Sequence, residues 1–383
     1  MHLGGLAMGL INIRLGDYIE RSTQNNKDLE YGTDLMVGVN SQGIFAVPKG
    51  NTDGVDLKPY KIVNNGAFVY NPTRLELGSI AYRTEGLCIV SHLYMVFYLT
   101  DEGKKIIDPM WLYIYFRRAE FCREVTFRNF GSQRPEFNFN DMSDIIVPLP
   151  DIKIQRKYVD IYNAMLTNQQ SYERGLEDLK LSFEALIDEY KNKANKKIVG
   201  SILKEIDCRN TDGSITDVQG INITKQFMPS VANTYDVNLT KYKLVRKGQF
   251  AFSGMQTGRD ECIRIALYNK EDPIIISPAY TVLEIKDDIV LSEYVMMWFS
   301  RKEVDRLGWF MSDASIRTNL DMDRFYEIEI PVPDLNVQKA IVEIYNAYNV
   351  RKDINEKLKA QIKDICPILI KGSIEEARKT KEA

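Results

Sequence analysis

Two stretches of the chain carry the same pattern of apolar and polar positions. Each begins with an apolar, β-branched run, passes through Pro-x-Pro-Asp, and continues into a long segment with helical spacing of apolar residues. The first stretch covers residues 145–164 and the second covers residues 328–347, so matching residues are separated by a constant step of 183 residues. Ile161-Tyr162-Asn163-Ala164, for example, recurs as Ile344-Tyr345-Asn346-Ala347. A match of this length without a gap indicates a tandem duplication.

The Pro-x-Pro-Asp sequence predicts a strand, a stop and a helix start in each copy. Proline fixes φ and removes a backbone donor, so the apolar strand is expected to end there. Asp151 and Asp334 follow, and each carboxylate can accept hydrogen bonds from the first amides of a helix. We therefore predict that each of these aspartates is an N-cap.

The segment after each aspartate predicts one seam of a coiled coil, because its apolar residues recur at alternating steps of four and three. In the first copy Gln169 breaks the stripe, and in the second Lys352 and Asn355 interrupt it. The alternative is that each helix packs on its own globular domain. The apolar seam positions are Tyr158, Tyr162, Met165, Tyr172, Leu176, Leu179, Phe183, Leu186 and Tyr190, then Ile341, Ile344, Tyr348, Leu358, Ile362, Ile365 and Leu369.

The predicted fold class is α+β. We expect two α/β domains separated by two long antiparallel helices, with an internal pseudo-two-fold repeat. The predicted bounds are 1–150 and 198–333 for the domains, and 151–197 and 334–383 for the helical spacers. The first helix is expected to end in the lysine-rich residues 191–197. The second is expected to end near Lys371, loosened by Pro367 and followed by a charged tail.

Composition limits the chemistry. The chain has 383 residues, a net charge of −3 and two histidines, which disfavours histidine-based zinc sites and a Ser-His-Asp triad. Its five cysteines are scattered, which indicates a reducing cytoplasm rather than a disulfide framework. The longest apolar run is too short to span a bilayer, so we expect no membrane association.

Local charge suggests a nucleic-acid partner. Residues 104–134 and residues 241–264 each carry a net charge of +4, although the whole chain is acidic. Such segments can neutralise phosphates. The alternative is that they are ordinary solvated faces.

Catalytic motifs are weak. No glycine-rich nucleotide loop is present, and Ser277-Pro278-Ala279-Tyr280 lacks the second proline of a methyltransferase tetrapeptide. Glu284-Ile285-Lys286 leaves one enzymatic alternative, a self-contained DNA-binding nuclease that uses Glu284 and Lys286. Turnover by the purified chain with DNA, magnesium and S-adenosylmethionine would favour that alternative.

Further motifs carry a resemblance to a known family. Gly131-Ser132-x-Arg134-Pro135 precedes the first Pro148-x-Pro150 and Gln155, and Tyr70-Asn71-Pro72-x-Arg74 lies upstream. With these motifs the chain resembles, over nearly its whole length, the DNA-specificity subunit of type I restriction-modification systems. The second copy departs from the pattern, with Ser253-Gly254 in place of Asn71-Pro72 and Ala314 in place of Gly131.

The resemblance implies that the two domains are target-recognition domains, each reading half of a split double-stranded DNA site. It also implies that methyltransferase and restriction subunits are the partners. S-adenosylmethionine, ATP and Mg²⁺ would act in those subunits, and this chain would be a non-catalytic cytoplasmic protein without a metal. The helix positions expected to bind partners are Tyr162, Tyr172, Leu176, Tyr345 and Leu358.

We predict DNA contacts in both domains. Arginine can bond bidentately to guanine and glutamine to adenine, and either can hold a phosphate. The bases themselves are set by loop residues and do not follow from the sequence. For each arginine the alternative is a buried ion pair. The predicted DNA-contacting residues are Arg74, Arg128, Ser132, Arg134, Lys243, Gln256, Arg259 and Arg317.

The helices predict a bipartite recognition sequence. A helix of roughly forty residues is about 60 Å long. Domains at its two ends would read half-sites about one helical turn apart, roughly ten base pairs between centres.

Overall fold

The chain forms two compact units, each combining a globular module with part of both long helices. The structure, a computed structural model, describes residues 9–48, 52, 54–129, 136–230, 237–255, 257–313 and 318–382. The first unit comprises Met1–Tyr172 and Ile354–Ala383, and the second comprises Glu173–Asp353.

The first module and the first long helix contain these elements, in chain order: β1 Ile11–Arg14, β2 Ile19–Arg21, β3 Gly38–Val39, β4 Phe45–Ala46, β5 Lys61–Val63, β6 Phe68–Tyr70, β7 Ile80–Tyr82, β8 Cys88–Val90, β9 Met95–Leu99, α1 Asp101–Ile106, α2 Pro109–Phe116, α3 Ala119–Arg128, α4 Phe139–Ser143, β10 Ile146–Leu149 and α5 Ile152–Lys193.

The second module and the second long helix contain β11 Asn195–Ile198, α6 Val199–Ile202, β12 Leu203–Ile206, β13 Val218–Ile221, β14 Phe227–Pro229, β15 Lys243–Val245, β16 Phe250–Ser253, α7 Thr257–Asp260, β17 Arg264–Leu267, β18 Ile274–Ile276, β19 Thr281–Ile285, α8 Ser292–Phe299, α9 Lys302–Met311, α10 Met322–Glu327, β20 Glu329–Val332 and α11 Leu335–Glu382.

The two modules share one topology, which confirms the internal repeat. Their main antiparallel sheets have the orders β2-β9-β6-β7 and β12-β19-β16-β17. A small sheet, β5-β8 or β14-β13-β18-β15, accompanies each main sheet. In each module a further two-stranded sheet pairs its first strand with the strand that enters the long helix, β1 with β10 and β11 with β20. The predicted mixed α and β architecture with two long helices is therefore confirmed.

Each main sheet is buried on both faces. Successive strand residues point in opposite directions, so neighbouring residues of one strand join different apolar cores. In β6, Phe68 and Tyr70 join the core shared with the helices, whereas Val69 joins the core under the small sheet. In β16, Phe250 faces the helices and Ala251 faces the small sheet in the same way. The central strands are thus held between two apolar layers in each module.

Both long helices begin as predicted. The Asp151 carboxylate accepts from the Lys153 amide at 2.9 Å, and the Asp334 carboxylate accepts from the amides of Asn336 and Val337 at 3.0 and 3.2 Å. These contacts confirm the two N-caps.

A fully buried glutamine fastens each helix start to its module. Gln155 Oε1 accepts from the Asp108 amide at 2.8 Å, and its Nε2 donates to the carbonyls of Ile106 and Pro150, each at 2.7 Å. Gln338 repeats this arrangement with the Leu291 amide at 2.9 Å and the carbonyls of Ile289 and Pro333. One side-chain amide therefore satisfies three buried backbone groups in each copy.

The predicted apolar seam is confirmed within each unit, where the two helices run antiparallel. In the first unit Lys157 pairs with Glu376 at 2.8 Å, while Gln169 donates to Asn355 at 3.0 Å. In the second unit the ring of Phe183 packs edge-on against Tyr345, with 5.7 Å between centroids. Gln169 and Asn355, which interrupt the two stripes, are thus buried against each other.

The ends of the helices correct two expectations. The second helix does not end near Lys371 but continues through Pro367 to Glu382. It continues because Ser373 and Ala377 are buried in the first unit, where Ser373 Oγ accepts from Trp111 Nε1 at 3.1 Å. The lysine-rich end of the first helix is also shorter than expected, because residues 195–198 form β11.

We expect Gln155→Leu to destabilise the protein by at least about 2 kcal/mol, because one buried amide and two buried carbonyls lose their partner. Urea unfolding of the full chain measures the change. Gln170→Leu is the matched control, since Gln170 lies exposed on the same helix. Equal unfolding midpoints for the two variants would contradict this role of Gln155.

A double-mutant cycle tests the buried pair in the seam. Gln169→Leu alone should cost about 1–3 kcal/mol, because the buried amide of Asn355 loses its partner. Adding Asn355→Leu should recover most of this loss, since an apolar pair suits the seam. The unfolding free energies should give a coupling of more than about 0.5 kcal/mol. Additive effects would show that the two amides act independently.

Candidate nucleic-acid interface

The two modules differ in the segments that connect the strand pairs β6-β7 and β16-β17. The first connection, residues 71–79, contains a 3₁₀ turn at Leu75–Leu77. The second, residues 254–263, contains α7 instead. Similar strands joined by dissimilar connections give each module its own exposed loop surface on a common frame.

Equivalent hydrogen bonds tie these connections to the segment that follows α3 or α9. The Phe137 amide donates to the Pro72 carbonyl at 3.0 Å, and the Leu320 amide donates to the Gly254 carbonyl at 2.9 Å. Gly254 is required at this place, since a Cβ there would lie 1.8 Å from the Leu320 carbonyl oxygen. Both modules therefore bring the same two segments together around different side chains.

Arg74 lies exposed on the first connection, and its backbone is fixed. Its amide donates to the Asn71 carbonyl at 3.1 Å, and its carbonyl accepts from the Ser79 amide at 3.2 Å. Among the described residues no hydrogen bond or ion pair engages its guanidinium. A fixed backbone with a disengaged cation suits contact with a phosphate or a base.

Arg259 lies on the second connection and is engaged. Its Nε is 2.9 Å from the carboxylate of Asp260, and its side chain is 61% exposed. Hydrogen bonds from Arg259 and then from Arg264 hold the pKa of Asp260 below its usual value. Asp260 itself is only 14% exposed and also pairs with Arg264, so its carboxylate is held by the fold. Contact with a DNA phosphate would require Arg259 to leave or share this largely buried carboxylate.

The structure does not support Lys243 as a DNA contact. Its side chain is 8% exposed and lies 3.6 Å from the Glu205 carboxylate. It sits on β15 in the small sheet, so sequence charge did not reveal its burial. Arg128 is intermediate, because its 32% exposed side chain is paired with Glu124 at 2.9 Å within α3. Ser132, Arg134, Gln256 and Arg317 lie outside the described residues and stay predictions.

Most cations of the two basic segments have local partners. In the first segment Lys104 pairs with Asp101, and Arg118 lies over the Tyr115 ring at 3.8 Å. Arg117 donates to the Gly78 carbonyl. The sequence excess of positive charge therefore overstates the charge available to a phosphate on this surface.

The comparison with protein families gives a direct match. The model of the type I restriction modification DNA specificity domain matches residues 10–181 and 228–364. The chain belongs to this family. The comparison with curated proteins found no match.

Solved structures agree with the fold. The S subunit of a type I restriction-modification system from M. genitalium has a TM-score of 0.56 and 13% identity, covering 97% of this chain and 98% of that chain. The HsdS subunit from Thermoanaerobacter tengcongensis gives 0.43 and 16%, covering 97% and 98%. A structure from work on complex assembly and conformational transition of the type I R-M system gives 0.48 and 16%, covering 97% and 99%. The first of these shows the shared fold.

The helix positions expected to bind partners of this specificity-family chain lie in its own seam. Tyr162 is 4% exposed and Leu176 is 9% exposed. Burial raises the pKa of Tyr162, so its hydroxyl stays protonated at neutral pH. Tyr345 packs on Phe183, and Tyr172 and Leu358 are half-buried. An apolar stripe predicts that a helix face is buried, but it does not specify which segment buries it. Here the other long helix does. Tyr162 and Leu176 are therefore covered by the chain itself, whereas partner contact by the half-buried Tyr172, Tyr345 and Leu358 stays a prediction.

The structure gives the nuclease alternative no support. Glu284 accepts from Gln249 at 3.1 Å and pairs with Lys204 at 3.0 Å; the Gln249 hydrogen bond is the main cause of its lowered pKa. Lys286 donates to the Gly200 carbonyl. In the described part of the chain no cluster of His, Cys, Asp or Glu is arranged to hold a metal. Nor does any described helix have the length and hydropathy to cross a bilayer.

Sequence reasoning missed two exposed aromatic residues. Phe127 is 82% exposed and Phe310 is 86% exposed. They are separated by the repeat step of 183 residues, and this recurrence in the sequence could have marked them as a candidate site.

We expect Arg74→Ala to weaken DNA binding by the assembled complex. A lost phosphate contact should weaken all sequences alike and flatten the salt slope by about one unit, whereas a lost base contact should relax one position of one half-site. Lys243→Met is the comparison variant, and it should alter stability while leaving the salt slope unchanged. Fluorescence anisotropy at several salt concentrations measures both. Unchanged binding by Arg74→Ala would remove Arg74 from the interface.

Proposed function

We propose that this chain is the DNA-recognition subunit of a type I restriction-modification complex. It reads a bipartite, asymmetric site in double-stranded DNA, with one half-site for each module. It docks methyltransferase and restriction subunits, which supply the chemistry with S-adenosylmethionine, ATP and Mg²⁺. In this proposal the chain has no catalytic activity of its own and acts in the cytoplasm.

One observation carries the proposal beyond family membership. The two modules keep the same strand order but differ in the connection that presents exposed side chains. A duplicated enzyme would need a set of reactive groups in at least one copy. A duplicated reader needs a constant frame with variable loops, because the two half-sites differ in sequence.

Recognition then divides into two kinds of contact. Phosphate contacts give affinity and position the module, whereas side chains at base edges give sequence preference. Arg74 is available for either kind of contact. Arg259 is 61% exposed but pairs with the largely buried Asp260, so contact with DNA requires it to leave or share that carboxylate.

The long helices give the proposed function its spacing. A helix of 42 residues is about 63 Å long at about 1.5 Å per residue. Both helices contribute to both units, and the division between the units falls between residues 172 and 173 in α5 and between 353 and 354 in α11. We expect the length of these helices to set the unread spacer between the two half-sites.

A matched insertion tests the spacing. Four residues added after Tyr172 and four added after Asp353 leave the Gln169–Asn355 pair and the Phe183–Tyr345 contact intact within their units. The insertion adds about 6 Å of helix, so the spacer should lengthen by about one or two base pairs while both sequence blocks stay the same. Methylome sequencing of cells that express the variant with its partner subunits measures the spacer.

The control places the same four residues after Gly213, in the loop between β12 and β13, where neither block nor spacer should change. A continuous recognition sequence would overturn the proposal. Altered blocks around an unchanged spacer would overturn the role of the helices.

A further inference from the structure

The two modules repeat a pair of exposed side chains on corresponding helices. Arg123 and Phe127 lie on α3, and Arg306 and Phe310 lie on α9 at the repeat step of 183 residues. The phenyl rings are 82% and 86% exposed. Exposure of a whole phenylalanine side chain at one place is common enough, but its recurrence at the equivalent place in a diverged copy needs a cause.

The helices present these pairs on one outward face. Residues four apart lie on the same side of a helix, so each arginine is a neighbour of its phenylalanine. Phe121 and Val125 are buried on the opposite side of α3. On α9 Val304 is buried there too, and a Cβ at Gly308 would lie 2.4 Å from Ile263. The core side has thus changed between the copies, whereas the outward pair has not.

The face sets an exposed ring beside balanced charges, and on α3 Arg123 pairs with Glu120 at 3.2 Å. Helices α3 and α9 each carry two basic and two acidic residues, so neither has the excess of cations that a DNA-binding face requires. The neighbour of Phe310 on α9 is Trp309, which is 51% exposed. Aromatic residues and arginine are enriched at the centres of protein interfaces. The chemistry therefore favours a protein partner over DNA.

The duplication indicates how many partners bind. The two modules have different connections, but both carry Arg-x-x-x-Phe. This shared motif is suited to one ligand that binds both modules. We propose that the Arg123–Phe127 and Arg306–Phe310 faces are equivalent docking points for two copies of one protein, which offers an apolar pocket for the ring and a carboxylate for the arginine. The inference rests on the proposed function, under which that protein is the methyltransferase subunit.

The experiment uses the full chain and the purified methyltransferase subunit of the same system. Phe127→Ser and Phe310→Ser should each weaken binding of one copy at least tenfold, so that complexes with a single copy accumulate in native mass spectrometry. The double variant should weaken both sites. Because both rings are exposed, thermal unfolding should be unchanged. Leu93→Ser is the control, since Leu93 is 66% exposed in the first module and Ala279 stands at the corresponding place in the second.

Three results would overturn the inference, and they are distinguishable. If the wild-type chain binds no methyltransferase subunit, the proposed function fails with it. If the wild type binds two copies and the Phe127→Ser and Phe310→Ser variants do so with equal affinity, the docking faces alone are wrong. If the variants bind two copies normally but lose DNA affinity, the faces belong to the DNA interface.

Discussion

The first-turn glutamine of each long helix, Gln155 or Gln338, is the contact on which the architecture of its unit depends. It lies where a strand, a proline turn and a helix meet, and its amide supplies three hydrogen bonds to backbone groups that water cannot reach. Leaving such groups unpaired costs about 1–3 kcal/mol each, so few other side chains fit. The glutamine thereby fixes the direction in which the helix leaves the module.

That direction allows the helices to complete the module cores. The core of the first unit includes Val159 and Tyr162 from α5 together with Leu369 and Ile370 from α11. The core of the second unit includes Ile187 and Ile341 in the same way. The helices are therefore structural parts of both recognition modules, as well as candidates for setting the distance between half-sites. Within the seam, the Gln169–Asn355 pair replaces an apolar contact with a polar one. Such a pair lowers stability but favours a single register, and a helix that sets a spacing needs a fixed register.

Under the proposed function, the division between frame and surface explains how one fold can serve two half-sites. Cations that lie on the frame, such as Lys243 and Arg118, are held by burial, ion pairs or aromatic rings. Side chains on the connections, such as Arg74, keep their charge accessible. Under the proposed function, substitutions on a connection would change what is read without disturbing the sheet beneath it.

Local physical chemistry determined much of this protein from the sequence. Proline and aspartate act through nearby backbone atoms, so a strand stop within Pro-x-Pro and both N-caps followed from the sequence. The strands run through Pro148 and Pro331 and end one residue later. Helical periodicity fixed the seam, and the repeat fixed the duplicated topology. Tertiary structure decided whatever depends on distant neighbours. Lys243 is buried because of its place in a small sheet, and α11 continues past Pro367 because Ser373 and Ala377 pack into the first unit. A proline inside a helix costs about 3 kcal/mol, because it removes one hydrogen bond and clashes with the preceding turn, and burial of the following turns offsets this cost. Exposure of Phe127 and Phe310 likewise depends on which helix face the rest of the module covers, and no local pattern encodes that choice.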